Sequence, residues 1–295
     1  MPSPAPDASS AAEALRKAGV RQADALARLA EPSIRITPRP AALETLPPGA
    51  SRFGGAPDVA PGFAWPERDG RPLTFLAQLD LADVRAPDLP ASGWLLFFYD
   101  AVEQPWGFDP KDAGGARVVH VDAPRGALER RRHPEVDARG GPFRCCALSF
   151  APAVDLPDLE DDLVVKARLR PEDMKSRETD AYYDVAAALS GHADPDATYH
   201  HLLGNPQLVQ GDMRGECQLV TSGIYVGKPE AFQGERTQEL LRVAPSEWRL
   251  LLQLDTDEEG PGWTWGDAGR VYFWIRRADL AAGAFDRTWL VLQCG

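Results

Sequence analysis

Two stretches far apart in this chain of 295 residues are assembled from the same parts in the same order. Phe75 to Leu81, FLAQLDL, aligns with Leu250 to Thr256, LLLQLDT, so that Gln78-Leu79-Asp80 falls on Gln253-Leu254-Asp255. An acidic or proline-rich loop follows each. A glycine then opens an aromatic strand, Gly93 before WLLFFYD and Gly269 before RVYFWIR. A lone pair of strands cannot bury an apolar face, so each pair needs cover. Two similar strand–loop–strand halves, residues 73–100 and 248–275, would cover one another if stacked or joined side by side. The pattern predicts an α+β fold with mainly antiparallel sheets and an internal duplication. The shared Gln and Asp stand at the strand's exit, where side chains can bond loop backbone and fix a turn. Lining a ligand site is the other use for them.

The rest of the chain supplies helices at the N-terminus and in the middle. Residues 1–9, rich in Pro, Ser and Ala, read as a disordered lead-in. Residues 10–32 read as a helical segment. Ser10 and Glu13 have capping-box spacing, Gly19 divides the segment into two short helices, and Pro32 ends it. Residues 33–295 read as a single domain, beginning with a strand at Ser33 to Thr37. Pro38 to Pro66 is too dense in proline and glycine for regular structure, yet it carries Phe53, Phe63 and Trp65. It reads as an ordered loop packed over the core. Gly54 and Gly55 within it permit positive φ or close backbone approach. A phosphate cradle is the functional alternative there, but no Lys and no following helix support it.

Arg117 to Val121 and Cys145 to Phe150 read as weaker strands. From Pro171 the chain reads as a helix with Tyr182, Val185, Ala186 and Leu189 on its apolar face and Gly191 closing it. A short helix is expected at Thr198 to Leu203, short strands at Gln207 to Gln210 and Cys217 to Thr221, and a helix at Glu235 to Val243. The C-terminal part reads as strand Trp248 to Leu254, strand Arg270 to Ile275, helix Arg277 to Ala282 and strand Arg287 to Gln293.

The net charge of -12 disfavours a nucleic-acid backbone or an anionic membrane as partner and leaves room for a basic protein. No apolar run reaches the length of about 18 residues that a transmembrane helix needs. The N-terminus lacks the basic-then-apolar order of a secretory signal. The 4 cysteines have no CxxC spacing and suggest no disulfide scaffold, so a reducing cytoplasm is the expected compartment. Adjacent Cys145 and Cys146 read as neighbours on opposite faces of a strand rather than a strained vicinal disulfide.

No catalytic residue, cofactor or metal site emerges. Asp255 to Gly260 imitates the start of a calcium loop, but Gly266 occupies the position that must supply a bidentate carboxylate. His200 and His201 are adjacent, which is not ligand spacing on a helix. There is no GxSxG, and Cys217 reads as a buried cysteine despite nearby histidines. Asp212, Arg214 and Glu216 fit a turn salt bridge as well as acid–base chemistry. The run Arg130-Arg131-Arg132-His133 is either a solvated loop or a site for an anion or acidic partner. Trp263 and Trp265 straddle Thr264 and would point the same way on extended chain, either plugging the sheet end or forming a platform. The candidates for a ligand or partner site are Trp65, Gln78, Gln210, Asp212, Trp263, Trp265 and Asp267.

Several ordered motifs resemble the YwqG-like family, a bacterial family of unknown function. They are Ser51-Arg52-Phe53-Gly54-Gly55-Ala56-Pro57, Pro61 to Pro66 and Pro72 to Gln78 at the opening. His201-Leu202-Leu203-Gly204 with Gln210-Gly211-Asp212-Met213 match in the middle, and Trp265-Gly266-Asp267-Ala268-Gly269 with Tyr272 to Ile275 at the close. The likeness covers roughly residues 35–295. It implies an α+β fold with antiparallel sheets and supplies no catalytic residues. The Trp-Gly-Asp-x-Gly segment is also similar to one in toxin-immunity proteins. The expectation is a cytoplasmic, non-enzymatic protein-binding module, with toxin immunity as one form of it. The alternative is a small-ligand binder or enzyme with its site between the two half-sheets.

Overall fold

A computed structural model describes residues 8–138, 141, 143–192, 194 and 197–295. Residues 1–7 of the expected lead-in lie outside the described residues, and helix α1 (Ala8–Lys17) already contains the last two residues of that segment. Ten strands form one sheet: β1 (Glu31–Pro40), β2 (Arg52–Phe53), β3 (Thr74–Asp80), β4 (Trp94–Tyr99), β5 (Ala116–Val121), β6 (Cys146–Asp155), β7 (His200–Leu203), β8 (Trp248–Asp255), β9 (Arg270–Arg276) and β10 (Trp289–Gln293). Their order across the sheet is β10-β9-β8-β7-β1-β6-β2-β3-β4-β5, and each pairing is antiparallel. The fold is α+β, as the pattern predicted.

The long strands β1 and β6 pair along their whole length, Glu31 opposite Asp155 and Pro40 opposite Cys146. Four strands lie outward of each. The two outer edges then approach one another, and the sheet is nearly closed. Leu292 N–H donates to the Trp106 carbonyl at 3.1 Å, and the Trp289 indole donates to the Gly107 carbonyl at 3.0 Å.

The strands form where apolar and aromatic side chains run without interruption, and β3 and β4 are buried along their whole length. Leu76, Leu79, Leu95 and Phe97 from one side meet Leu251, Leu254, Phe273 and Leu292 from the other in the sheet's interior. Both hairpins carry a bulge at the same distance before their Gln, at Leu76 in β3 and Leu251 in β8. An unpaired extra residue bends and twists its strand, and a sheet that wraps toward closure needs such bends.

Eight α-helices lie among the described residues: α1, α2 (Ala23–Ala27), α3 (Pro134–Ala138), α4 (Asp162–Lys166), α5 (Arg177–Ser190), α6 (Arg214–Val220), α7 (Glu235–Glu247) and α8 (Arg277–Ala281). Helices α1, α2 and α5 enclose a second apolar cluster with Leu15, Leu26, Leu159 and Tyr182. Met213 and Cys217 of the α6 region, with Ala244 of α7, pack on Trp248 and Trp274.

Several local expectations are overturned. Ser10 lies inside α1 and not at its start, and Pro32 belongs to β1. That proline is tolerated because β7 flanks β1 only from Ser33 to Ile36. Pro32, Pro38 and Pro40 all fall outside that doubly paired stretch. Helix α5 starts at Arg177, capped by Ser176, and not at Pro171. The expected helix at Thr198 to Leu203 is strand β7, and the expected strand at Cys217 to Thr221 lies largely in α6. Gln207 to Gln210 forms no strand. Side chains take its backbone donors, Gln253 for Gln207 and Gln293 for Val209 and Gln210.

Candidate functional site

The site is built on a turn that occurs twice. From β2 onward the chain reads Arg52-Phe53-Gly54-Gly55-Ala56-Pro57-Asp58, and after the start of β7 it reads His201-Leu202-Leu203-Gly204-Asn205-Pro206-Gln207. Both turns use two successive left-handed residues, Gly54 (φ 59°) and Gly55 (φ 70°) in one, Leu203 (φ 60°) and Gly204 (φ 80°) in the other. Arg52 stands opposite Gln78, and His201 opposite Gln253. Each glutamine accepts the backbone N–H at the end of its turn, Asp58 to Gln78 at 2.8 Å and Gln207 to Gln253 at 2.9 Å. Asp80 N–H donates to Ser51 Oγ at 2.9 Å, and Asp255 N–H to His200 Nδ1 at 3.0 Å. The repeated Gln and Asp hold these turns in place, and both glutamines are buried.

Beside the first turn the space is filled by charge. Arg52 and Asp58 are fully buried and paired at 2.8 Å. Arg130 enters from the segment Glu129–Arg130. It donates to Asp58 Oδ1 at 2.9 Å and to the carbonyls of Leu43 and Leu46 at 2.7 and 3.1 Å. Burial alone would push the Asp58 carboxyl up; the Arg130 hydrogen bond and the Arg52 charge outweigh it and hold the carboxyl below its usual range. Arg130 is thus turned inward, and the basic run is not a uniformly solvated loop.

Beside the second turn lies a cavity of about 340 Å³, bounded by α5, the end of β6 and the Asn205–Leu208 segment. That volume falls in the range of small-molecule sites. Asp155 sits in its wall, with Oδ1 accepting from the Tyr199 hydroxyl at 3.1 Å and Oδ2 lying 3.3 Å from His201 Nδ1. His201 Nδ1 is 2.8 Å from the Leu203 carbonyl, which selects the tautomer protonated there. Burial pushes the Asp155 carboxyl above its usual range, against the pull of His201 and the Ser33 and Tyr199 hydroxyls. His192 stacks on Tyr199 at 4.6 Å between centroids, and Tyr199 faces His201 at 5.0 Å. Gln207 Nε2 donates to His192 Nδ1 at 3.2 Å, and the other nitrogen of that ring lies 2.6 Å from the Ala197 carbonyl. Arg270 in the wall is paired with Asp255 at 3.0 Å. Asp158 is pushed up by burial as well. Two carboxyls displaced from their usual range in one concave site make it a candidate functional pocket.

The structure scatters the residues singled out from the sequence. Trp65 bonds the Leu73 carbonyl at 2.8 Å and packs on Phe63 and Phe98, beside the first turn. Gln78 is spent on the Asp58 and Ala50 backbone. Gln210 is exposed. Asp212 joins Asp161 around Arg214, the Asp161 pair at 2.8 Å, a buried ion cluster behind α6. Trp263 and Trp265 are core plugs. Trp263 donates to the Asp255 carbonyl at 2.8 Å, and its ring lies 5.1 Å from Phe53 and 5.5 Å from Phe143. Asp267 is exposed. These residues converge on no common cavity among the described residues, and the cavity beside the second turn lies against α5, not between the half-sheets. Asp155, His192, Gln207 and Arg270, which line the cavity, were not among the residues singled out from the sequence. The echo of FGGAPD in LLGNPQ was the signal for Gln207.

Other motifs are absorbed by the fold. Asp257 of the calcium-like segment accepts from Gly260 N–H at 2.7 Å and meets His200 Nε2 at 3.2 Å. Burial drives the Cys217 thiol far above its usual range, so it is no nucleophile as it stands. No group of three or more metal-ligating side chains could hold an ion among the described residues, and no helix there is long and apolar enough to cross a membrane.

A nearly closed antiparallel sheet with peripheral helices defines an α+β protein, and the cavity beside the second turn is one of its concave sites. The chain belongs to a family described as Domain of unknown function (DUF1963), which matches residues 51–294. That span starts at the first turn and takes in the cavity. No curated protein matches the chain.

Proposed function

We propose that the protein binds a small organic molecule in the cavity beside the second turn, and that its sheet descends from a duplicated five-strand unit of the YwqG-like type. One observation carries the binding reading. A side chain added at Gly55 would pack on Leu43, whereas one added at the corresponding Gly204 would strike the Asp155 carboxylate. Where the first half places a leucine, the second places a buried acid. A buried carboxyl costs stability unless it is paired; Asp58 at the first turn is paired with Arg52 and Arg130, whereas the side chains around Asp155 at the second are Ser33, Tyr199, His201 and His192. The place of Asp155 in the wall of an open cavity fits a ligand contact. The same cavity would accept one side chain of a partner protein, and the net charge of -12 suits a basic partner.

The test is a ligand screen by thermal shift on the wild type and on Ala187→Trp, which fills the cavity from α5. Binding in the cavity predicts compounds that raise the melting temperature of the wild type and leave Ala187→Trp unmoved. Equal shifts in both proteins would place any ligand elsewhere and end this reading.

A further inference from the structure

Two walls of the cavity are tied together by one pair of side chains. Gln207 of the second turn donates through Nε2 to Nδ1 of His192, which follows α5, at 3.2 Å. No other hydrogen bond joins α5 or His192 to the Asn205–Leu208 segment among the described residues. Both side chains line the cavity. Which atom donates is fixed by the contacts behind the pair. Gln253 Oε1 accepts the Gln207 backbone N–H at 2.9 Å, so its Nε2 is the atom turned to the Tyr199 carbonyl at 3.3 Å and to Gln207 Oε1 at 3.5 Å. Gln207 therefore presents its carbonyl to Gln253 and its amino group to His192. His192 Nδ1 has to accept, and the ring proton sits on Nε2, which donates to the Ala197 carbonyl at 2.6 Å. The ring is also held in place. It stacks on Tyr199 at 4.6 Å between centroids, its backbone N–H donates to the Ala187 carbonyl at 3.0 Å, and the carbonyl of the preceding Gly191 accepts from Arg35.

Protonation would make His192 Nδ1 a second donor, facing the Gln207 amino group donor to donor. Turning the Gln207 carboxamide over would mend that contact but set its amino group against Gln253 Nε2. Gln253 cannot turn in its place without giving up the Gln207 backbone N–H. The misfit has no local remedy, and an unmade buried hydrogen bond is costly. We infer that His192 and Gln207 form a pH-sensitive latch on the cavity, closed while the ring is neutral and released when it is protonated. As regulation of that site, the latch rests on the cavity being a binding site. Charged and titratable groups surround the ring. Asp155 faces it from the end of β6, Tyr199 stacks on it, and His201 of β7 lies beyond Tyr199. Asp158, Asp184 and Arg270 share the cavity wall, and Arg35 of β1 reaches the Gly191 carbonyl. The carboxyls favour a charged ring and the arginines oppose it. The contact that turns from fit to misfit on protonation is the one to Gln207. A molecule held by the latched walls binds less tightly as pH falls, because protons favour the released state.

NMR between about pH 8 and about pH 5, the range in which imidazoles change charge, reads the latch with no ligand present. At the alkaline end the His192 ring is expected to be neutral with its proton on Nε2. On acidification the Gln207 side-chain amide and the backbone amides of His192 and Gln207 shift with the midpoint of that ring. His192→Phe keeps the stack on Tyr199 and loses these shifts. Gln207→Glu places an acceptor where the amino group stood, so the ring's midpoint rises and the walls no longer part in acid. The neutral nitroxide TEMPOL reports access to the cavity. Its relaxation of the wall amides grows on acidification in the wild type and stays level in both variants. A His192 ring that titrates while Gln207 and the end of α5 stay unmoved would overturn the latch and leave the cavity to the ligand screen. So would shifts that persist in His192→Phe, or TEMPOL access that ignores pH. A working latch in a protein whose ligand screen fails would end the regulatory role together with the site.

Discussion

Glu216 shows how far one side chain can set the pH behaviour of this protein. It lies on α6, largely buried, with Oε2 lacking a hydrogen-bond partner. Burial, assisted by the neighbouring Asp212 charge, pushes its carboxyl up to about 7 from an ordinary 4.5. The folded state therefore holds this proton more tightly than the unfolded state. Its contribution to stability is fully present below the ordinary value and is lost as pH rises through about 7. Glu216→Gln keeps the shape and removes the charge. The variant is expected to match the wild type at about pH 4 and to exceed it at about pH 8 by up to about 3 kcal/mol, from the 1.36 kcal/mol per pKa unit that links the two. Urea unfolding across that pH range measures it; parallel curves for the two proteins would rule the assignment out. Such residues are invisible in sequence. Glu216 was legible only as a candidate for a turn salt bridge or for acid–base chemistry, because burial and the missing donor belong to the packed helix and not to the string RGECQLV.

At the scale of elements, sequence patterns worked where an element is long and uniformly buried. FLAQLDL, WLLFFY and RVYFWIR became strands β3, β4 and β9 as expected. They failed where an element is too short to show a period. His200 to Leu203 holds four residues, all buried, and its neighbours β1 and β8 decide that it is a strand. The paired turns escaped detection because only Gly55 with Gly204 and Pro57 with Pro206 are alike by identity. The first turn makes the sharper prediction. Gly54 has φ 59°, and a Cβ there would overlap the carbonyls of Arg144 and Phe143. Gly62 has φ 78° with open space around it. Gly62→Ala is therefore expected to cost only the backbone strain, about 1 kcal/mol, while Gly54→Ala adds displaced backbone and costs about 3 kcal/mol or more. Denaturant midpoints of the two variants compare them directly. Equal losses would mean that the Phe143–Arg144 backbone gives way and the turn is looser than its geometry implies.

For the whole molecule, the question is whether the two sides of the sheet fold as one body. Phe97 and Phe273 occupy matching places in β4 and β9, each three residues past the strand's first residue, Trp94 or Arg270. Their rings meet edge to face with centroids 5.2 Å apart, at an interplanar angle of 80°. Both are fully buried in the cluster that joins the halves. The contact ties two strands far apart in both sequence and sheet order, so it exists only when the sheet has wrapped and both sides are in place. Each side has a smaller cluster of its own, around Phe98 in one and Trp274 in the other, but residues from both fill the main core between them. Unfolding is then expected to be a single cooperative transition. Phe97→Leu and Phe273→Leu should each lower it, and the double variant should lose less than the two losses added, by about 0.5–1.5 kcal/mol for the aromatic pair. A calorimetric scan together with the double-mutant cycle decides it. Two resolved transitions, or losses that add without coupling, would show halves that fold independently and merely touch.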